Sequence, residues 1–470
     1  MSKKTQSYTN RKHRKYIPER MPGNVAVKNK GGWLPGANGR AAKVEALLRG
    51  RKEETKEIAG NMAGYKDSGI EYIGQVPKDW EVLRLKNISN IYAAKEYLFG
   101  EWPVEKNGKP YSPFGEWSSG NEVIITGRVG TIGQYEMLEK NPKKKILIND
   151  NRLLIRPFTE DYRKKALSHF LFWAMAIVNL NDIITGSAVP LITATSLLKK
   201  RIVVPPLSEQ QRIADFLDTK CGILDRTIDA VSQQIEDLEK YKKALITKTV
   251  TKGIYKKGEP ERAMKDSGVE WIGEVPEEWD VKRNSLNFDI RKTLVGENWS
   301  NMQLLSLTTN GVKNITIDDQ VGKRPKTLAT YQIAHKNDIV MCLFDLDASA
   351  VFSGLCKKNG IISPAYKLLK CKNGMFPPYA EYYFRAVFDG RKYKKYAKSI
   401  RYTISTNDFM HLKMPVPPLA EQQQIADYLD EKCKNINNRV QKRRQQLEWL
   451  KEYKKSLIFD YVTGKKRVEK

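Results

Sequence analysis

Two seventeen-residue stretches decide the architecture of this chain, because they repeat one pattern in one order. PPLSEQQRIADFLDTKC occupies residues 205–221, and PPLAEQQQIADYLDEKC occupies residues 417–433, 212 positions later. Two adjacent prolines are excluded from a helix interior but often precede a helix, and an early glutamate favours a helix N-terminus. Ser208 is the N-cap candidate of the first copy. Each stretch, which we call a PPL box, therefore predicts the start of a long helix.

Both predicted helices carry a heptad seam, in which apolar residues recur at the a and d positions. Lys242, Arg443 and Lys454 interrupt this seam. Its apolar members are Cys221, Leu224, Ile228, Val231, Ile235, Leu238 and Leu245 in the first helix, and Cys433, Ile436, Val440, Leu447, Leu450 and Leu457 in the second. Such a seam is typical of a coiled coil.

Matching seams in one chain favour an antiparallel intramolecular helix pair, because a tethered partner has a high effective concentration. Dimerisation between two chains is the alternative. At about 1.5 Å per residue, a helix of roughly 36 residues would separate the two preceding domains by roughly 54 Å. That exceeds one turn of B-DNA, about 34–36 Å, and suits two half-sites separated by base pairs that are not contacted.

A second repeated motif, which we call the front box, precedes each variable stretch. KDSGIEYIGQVPKDWEV begins at residue 66 and returns as KDSGVEWIGEVPEEWDV at residue 265. Between the front and PPL boxes the halves hardly match, yet both mix short β-branched runs and turns with a more helical stretch (167–180 and 379–398). The pattern predicts an α/β fold of the α+β type, with two tandem globular domains and two long antiparallel helices as a spacer. The predicted segments are a basic, largely disordered arm (1–64), a first domain (65–205), a helix (206–252), a linker (253–264), a second domain (265–416), a helix (417–461) and a basic tail (462–470).

The formal net charge of +28 indicates a polyanionic partner, most often nucleic acid. Residues 1–60 contribute +10 of it, so the rest of the chain is also basic. No run reaches the eighteen apolar residues of a membrane span, and no secretory signal is recognisable. Five cysteines without a CxxC pair favour a reducing compartment. The expected location is the cytoplasm, without a membrane partner.

The sequence offers no convincing catalytic or metal site. MFPPY (375–379) differs from the adenine-methyltransferase motif Asn/Asp-Pro-Pro-Tyr, whose polar first residue accepts hydrogen bonds from the target amino group. Phe376 occupies that position and cannot accept them, so the stretch is interpreted as a turn that opens a helix. GRVGTIG (127–133) lacks the spacing of a nucleotide-binding loop. The four histidines lack metal-ligand spacing. Asp345 and Asp347 are interpreted as structural residues of a strand edge or turn.

The PPL boxes, the front boxes that end in P-x-x-W, and the phrase IISPAYKLL resemble the specificity (S) subunit of Type I restriction–modification systems over about residues 65–464. The basic arm before Tyr65 departs from the family pattern. The resemblance implies two target recognition domains, each of which reads one half of a bipartite, gapped double-stranded DNA target. It also implies that the helices dock two methyltransferase subunits, which a translocating restriction subunit joins. S-adenosylmethionine, ATP and Mg would be used by those partners in DNA methylation and cleavage, and the S subunit itself would hold no cofactor.

Basic, aromatic and polar loop residues are the predicted DNA contacts, since phosphate contacts set the register and base-edge contacts read the sequence. The stretches GSAVPLI (186–192) and SIRYTIS (399–405) are interpreted as matching loops of the two halves. The predicted contacts are Lys95, Trp117, Ser119, Arg128, Asn151, Thr185 and Ser187 in the first domain, and Lys313, Lys323, Arg324, Lys326, Arg401 and Tyr402 in the second.

The function that the sequence favours is a sequence-specific DNA-binding adaptor without an active site of its own. Two alternatives stay open at this point. One is a DNA-modifying or DNA-cleaving enzyme with an unrecognised active site. The other is a basic scaffold that binds nucleic acid without sequence preference, and such binding would collapse as salt is added.

Overall fold

A computed structural model describes most of the chain beyond residue 63. The described residues are 64–93, 123–127, 132–137, 152–159, 164–186, 190–255, 258, 260–309, 311–316, 327–346, 352–397 and 402–469, with the backbone of 15–16, 105–106 and 109–110. The chain forms two compact units, residues 1–228 with 448–470, and residues 229–447. Each unit therefore combines one globular domain with the start of one long helix and the end of the other.

The first unit is built on the antiparallel sheet β1-β9-β8-β10-β5. Its strands are β1 Lys15–Tyr16, β2 Tyr65–Asp67, β3 Gln75–Pro77, β4 Glu81–Arg84, β5 Ser89–Ala93, β6 Glu105–Lys106, β7 Lys109–Pro110, β8 Val123–Thr126, β9 Tyr135–Met137, β10 Arg152–Pro157 and β11 Arg201–Val204. Its helices are α1 Ser168–Met175, α2 Ala194–Leu198 and the first part of α3 Leu207–Lys252, with 3₁₀ turns at Leu85–Asn87 and Asn181–Ile183.

The second unit contains two four-stranded sheets, β15-β22-β19-β20 and β17-β16-β21-β18. Its strands are β12 Met264–Asp266, β13 Glu274–Pro276, β14 Asp280–Arg283, β15 Phe288–Arg291, β16 Leu304–Thr308, β17 Gly311–Ile315, β18 Gln332–Ala334, β19 Ile339–Met341, β20 Ser353–Leu355, β21 Gly360–Ile362, β22 Lys367–Cys371 and β23 Lys413–Val416. Its helices are α4 Asn284–Asn287, α5 Pro377–Asp389, α6 Thr406–His411 and the first part of α7 Leu419–Val462, with 3₁₀ turns at Gly296–Asn301 and Lys394–Tyr396.

The two halves share one frame around unlike inserts, as the repeated boxes predict. In both, the front-box strand pairs antiparallel with the strand that leads into the PPL box, β4 with β11 and β14 with β23. The order β15-β22-β19-β20 also repeats the order β5-β10-β8-β9 of the first unit. The second sheet of the second unit lies in the longer of the two variable stretches, between β15 and β22. The structure is thus the mixed α/β fold that the sequence predicts.

Two local expectations about helices are wrong. Ser208 is not the N-cap of α3, because the helix already begins at Leu207 and the Pro206 carbonyl accepts from the amides of Glu209 and Gln210. Proline needs no amide partner, so Pro206 can take the last position before the helix. The predicted helical stretches at 167–180 and 379–398 are also shorter in the structure, where α1 ends at Met175 and α5 ends at Asp389.

The apolar core of each domain includes residues of both long helices. In the first unit, Leu457 and Ile458 of α7 are buried in the same cluster as Trp80 and Phe170. In the second unit, Ile246 and Val250 of α3 join the cluster around Trp279, Tyr379 and Phe384. Burying each such aliphatic side chain contributes about 1.5–3 kcal/mol. The domains are therefore anchored to the helices by their cores as well as by chain connectivity.

Within each unit, α3 and α7 run antiparallel. In the first unit the ring of Phe216 lies 4.4 Å from that of Tyr461, and Asp225 binds Lys454. In the second unit Glu239 binds Arg444, and Lys242 donates to Asn437 at 2.9 Å. The thirteen apolar seam residues named above are all buried or half-buried, whereas Arg443 is exposed and donates to Gln446.

The buried lysine of the seam gives a first testable prediction. Lys454 is 6% exposed, and its Nζ lies 2.5 Å from the Asp225 carboxylate. Changing Asp225 to alanine should lower the free energy of unfolding by about 1–3 kcal/mol, because the buried ammonium of Lys454 loses its ion pair with Asp225. Glu239→Ala, at the exposed Arg444 pair, is the matched control and should cost about 0–1 kcal/mol. Equal effects of the two changes in urea unfolding would contradict a larger contribution from the ion pair of the buried Lys454.

Candidate DNA-recognition loops and helix junctions

The glutamate of each PPL box binds the tryptophan of the front box in the same unit. Trp80 is fully buried, and its indole N–H donates to Glu209 Oε2 at 3.0 Å. Trp279 is also fully buried and donates to Glu421 Oε2 at 2.9 Å. A buried indole N–H needs an acceptor, and a carboxylate is a strong one. The tryptophan of the front box and the glutamate of the PPL box are therefore bonded directly in each unit, and we call this contact and its neighbouring bonds the joint.

A guanidinium group completes each joint. Arg262 of the linker donates from Nη1 to Glu421 Oε1 at 2.6 Å, and this hydrogen bond raises the pKa of Arg262 above its ordinary value. In the first unit, Arg467 of the C-terminal segment lies 3.7 Å from Glu209. The segment that follows each long helix thus contacts the PPL-box glutamate of the unit in which that helix ends. At the end of α7, a Cβ on Gly464 would lie 2.6 Å from Pro77, so the backbone approaches too closely for a larger residue.

The first glutamine of each PPL box satisfies backbone groups of the adjoining domain. Gln210 is fully buried, accepts from the Leu167 amide, and donates to the carbonyls of Lys165 and Pro205. Gln422 is equally buried in the second unit, with a matching set of three hydrogen bonds. It accepts from the Phe376 amide at 2.8 Å and donates to the carbonyls of Gly374 at 2.8 Å and Pro417 at 2.9 Å.

The second aspartate of each PPL box adds a third bond to the joint, more than two helical turns beyond the glutamate. Asp218 accepts from the indole of Trp173 at 3.1 Å, and Asp430 accepts from the hydroxyl of Tyr382 at 2.6 Å. Both donors lie on the helix that packs behind the variable sheet, α1 or α5. Three polar residues of each PPL box therefore hold the globular domain of the unit against its long helix.

The first domain brings two of its predicted contact segments together. Strands β8 and β9 form a hairpin in which the Thr126 amide donates to the Gln134 carbonyl. The Ile192 amide donates to the Gly127 carbonyl at 2.8 Å, directly before Arg128. Thr185, which is exposed, exchanges backbone hydrogen bonds with Leu191. The β8–β9 loop and the 185–192 loop are thus neighbours.

The second domain repeats this arrangement with different residues. The Ile404 amide donates to the Leu343 carbonyl at 2.9 Å, and the Leu346 amide donates to the Tyr402 carbonyl at 3.3 Å. Lys394 Nζ lies 4.6 Å from the centre of the Tyr402 ring, a cation–π contact. The loop after β19 and the loop before α6 therefore form the counterpart of the first domain's loop pair.

Three predicted contacts fall on described residues, and they are not all in one place. Thr185 and Tyr402 belong to the paired loops. Lys313 is exposed on β17, opposite Ser306 in the second sheet of its unit. The predicted contacts Lys95, Trp117, Ser119, Arg128, Asn151, Ser187, Lys323, Arg324, Lys326 and Arg401 lie outside the described residues, as does most of the arm 1–64.

The sequence interpretation missed Arg391 and Lys394, which the structure places beside Tyr402 and Leu346. Arg391 Nη1 donates to the Leu346 carbonyl at 2.9 Å. The run RKYKK at residues 391–395 was the available signal, since it joins a helix end to a predicted contact loop. Asp345, interpreted above as structural, has a left-handed backbone with φ 52° in the same loop.

The described part of the chain shows little sign of other chemistry. Burial raises the pKa values of Cys356 and Cys371 to about 12, so these thiols stay protonated at neutral pH. Cys221 and Cys433 are buried in the seam. No group of metal-ligating side chains occurs among the described residues. None of the helices that the structure describes is long and apolar enough to cross a membrane.

Comparison with known proteins places these features in a family. The model of the type I restriction modification DNA specificity domain matches residues 77–240 and 309–448, well over half of the chain. The type I restriction enzyme MjaVIII specificity subunit of Methanocaldococcus jannaschii is 24% identical over 451 residues, which cover 87% of this chain and 98% of that protein. The putative MjaX specificity subunit of the same organism is 24% identical over 450 residues, 86% of this chain and 98% of that protein.

A solved structure shows the same fold. It comes from work on complex assembly and conformational transition of the type I R-M system, shares 15% identity, and aligns with a TM-score of 0.58 over 83% of this chain and 99% of that one. The two family matches contain both PPL boxes in full, together with most of the variable stretch that precedes each box. The chain therefore belongs to the type I restriction modification DNA specificity family.

Proposed function

We propose that this chain recognises DNA within a type I restriction–modification complex, and that each recognition domain reads one half of a bipartite, gapped target. The observation that carries the proposal is the duplicated joint. Glu, Gln and Asp of the PPL box make equivalent bonds in both units, while the sheets and loops that they hold differ. Equivalent attachments to the long helices, combined with different sheets and loops, suit the recognition of two different half-sites.

The paired loops are the proposed reading surfaces. Loops carry sequence recognition well when a rigid scaffold fixes their ends, and here backbone hydrogen bonds at Gly127 and Leu343 do so. Thr185 in the first domain and Tyr402 in the second remain proposed contacts, together with Lys313 and the contacts outside the described residues. The basic charge of the chain would hold the DNA backbone, with binding that weakens as salt increases.

The long helices are the proposed docking surfaces for two methyltransferase subunits. Large apolar side chains are exposed on them, among them Tyr241 at 58% on α3 and Trp449 at 63% on α7. The rings of Trp449 and Tyr453 stack 5.4 Å apart on the helix surface. Aromatic residues of this kind are enriched at protein interfaces. S-adenosylmethionine, ATP and Mg would belong to the partner subunits, and this chain would supply recognition without catalysis.

A domain exchange tests the proposal. Residues 85–200 lie between β4 and β11, so replacing them with the corresponding stretch of another family member leaves the frame strands and the PPL box in place. The hybrid, with its methyltransferase subunits, should change one half of the methylated sequence and keep the other, as base-resolved mapping of methylated DNA would show. The reciprocal exchange of residues 284–412 is the matched control and should change the other half.

Two outcomes would contradict the proposal. Changes in both half-sites after one exchange would mean that the domains do not read independently. Methyl transfer or DNA cleavage by the purified chain alone, lost after a point change, would instead favour an enzyme.

A further inference from the structure

Backbone strain concentrates in one loop cluster of the second recognition domain. Among the described residues other than glycine, positive φ occurs at Asn337, Asp345, Arg391 and Tyr402. This region is unfavourable for L residues with a Cβ, and such residues cluster at functional sites. Asp345, Arg391 and Tyr402 meet around Leu346, although they come from three separate segments of the chain.

Leu346 is the point at which these segments are tied together. Its side chain is 4% exposed, its amide donates to the Tyr402 carbonyl, and its carbonyl accepts from Arg391 Nη1 at 2.9 Å. The Arg391 guanidinium also lies 4.5 Å from the centre of the Phe388 ring. Arg391 therefore holds the loop after β19 in place from the end of α5.

Asp345 is held on this loop between two anchored neighbours. The Phe344 ring stacks on Tyr366 at 6.2 Å, and Leu346 is buried. The Asp345 side chain itself is half-buried and has no hydrogen bond or ion pair within the part of the chain that the structure describes. A carboxylate without a partner among the described residues is notable in a chain with a net charge of +28, where basic groups are abundant.

A carboxylate in a DNA-binding loop has few favourable targets. It accepts hydrogen bonds and donates none, and phosphates repel it. In the major groove, the groups that donate are the N4 amino group of cytosine and the N6 amino group of adenine. We propose that Asp345 accepts a hydrogen bond from one such amino group in the second half-site, and that Arg391 is the positioning residue that presents it. This inference rests on the proposed function.

A purely local role for Asp345 makes a different prediction. Aspartate tolerates the left-handed region better than most residues, and so do asparagine and glycine. If aspartate were needed at position 345 only to adopt the left-handed backbone, Asp345→Asn and Asp345→Gly would both leave DNA recognition unchanged. If the carboxylate reads a base, Asp345→Gly should reduce discrimination at one base pair by about 5- to 150-fold. Asp345→Asn should alter the preferred base at that same pair, because an amide both donates and accepts.

The experiment selects binding sites from a randomised double-stranded DNA library with the intact complex of this chain and its methyltransferase subunits. Arg391→Met should broaden the preference across the second half-site, because the loop loses its anchor, and Arg391→Lys should restore part of it. Lys392→Met is the matched control, since Lys392 lies over the Trp271 ring and not at Leu346. In every variant the base preference at the first half-site should remain as in the wild type.

The outcomes separate this inference from the function on which it rests. A wild-type complex that selects no bipartite sequence would contradict the proposed function. A bipartite wild-type sequence that Asp345→Asn and Asp345→Gly both leave intact would overturn the base-reading role alone. A large drop in melting temperature in both variants would also overturn it, because Asp345 would then have a structural role.

Discussion

Changing Trp279 to alanine is expected to lower the free energy of unfolding of the second unit by about 3–5 kcal/mol, the usual cost of truncating a large buried aromatic side chain. Trp279 is fully buried in the domain core, and its indole N–H binds Glu421. The change would leave a cavity and would also remove one of the donors to Glu421, which keeps its bond to Arg262. Thermal or urea unfolding of the purified chain measures the effect.

Trp449 provides the matched control for this prediction. It is also a tryptophan, but 63% of it is exposed on α7. Trp449→Ala should change the free energy of unfolding by no more than about 0.5 kcal/mol in the isolated chain, because no core is disturbed. Similar losses from Trp279→Ala and Trp449→Ala would show that the joint is not a principal source of stability.

The second large effect is expected from Gln422→Leu, which preserves side-chain volume but removes the amide. Three backbone groups of the joint, on Phe376, Gly374 and Pro417, would then lose their partner in a buried place. Each unsatisfied buried group costs about 1–3 kcal/mol, so with partial relaxation a total loss of about 2–4 kcal/mol is expected. Hydrogen exchange should report it locally, with faster exchange at the Phe376 amide.

The neighbouring residue is the control. Gln423 is exposed on the same turn of α7, and Gln423→Leu should leave both the unfolding free energy and the exchange of the Phe376 amide close to the wild type. If Gln422→Leu proved as mild as Gln423→Leu, water or a shifted backbone would have to replace the lost bonds. The presence of the same glutamine in both PPL boxes, Gln210 and Gln422, would then need a reason other than these hydrogen bonds.

The sequence predicted the parts of the fold that depend on local periodicity. Heptad spacing and the PPL boxes predicted α3 and α7, and short β-branched runs with turns predicted a compact α/β domain before each of these helices. The function followed from the family resemblance together with the duplicated order of motifs. The N-cap at Ser208 was wrong because a proline can fill that position as well, and nothing in local spacing distinguishes the two.

The sequence did not predict the contacts between residues that are far apart in the chain. Glu209 and Gln210 were interpreted only as features of a helix start, whereas their main partners are Trp80, 129 positions away, and Lys165, 45 positions away. Arg391 was missed for the same reason, because its role depends on the Leu346 carbonyl. Such pairings follow from the folded arrangement and leave no periodic signal.

The division of the core between both helices has a consequence for the origin of the chain. A half that ended after α3 would contain the first domain but would lack Leu457, Ile458 and Val462, which complete the core of that domain. The other half would similarly lack Ile246 and Val250. Each half is thus completed by the other in the same way, as in a symmetric dimer whose subunits exchange a helix end. Two copies of a shorter chain that completed each other's core would give this construction once they were joined, with the variable stretches free to differ inside the shared frame.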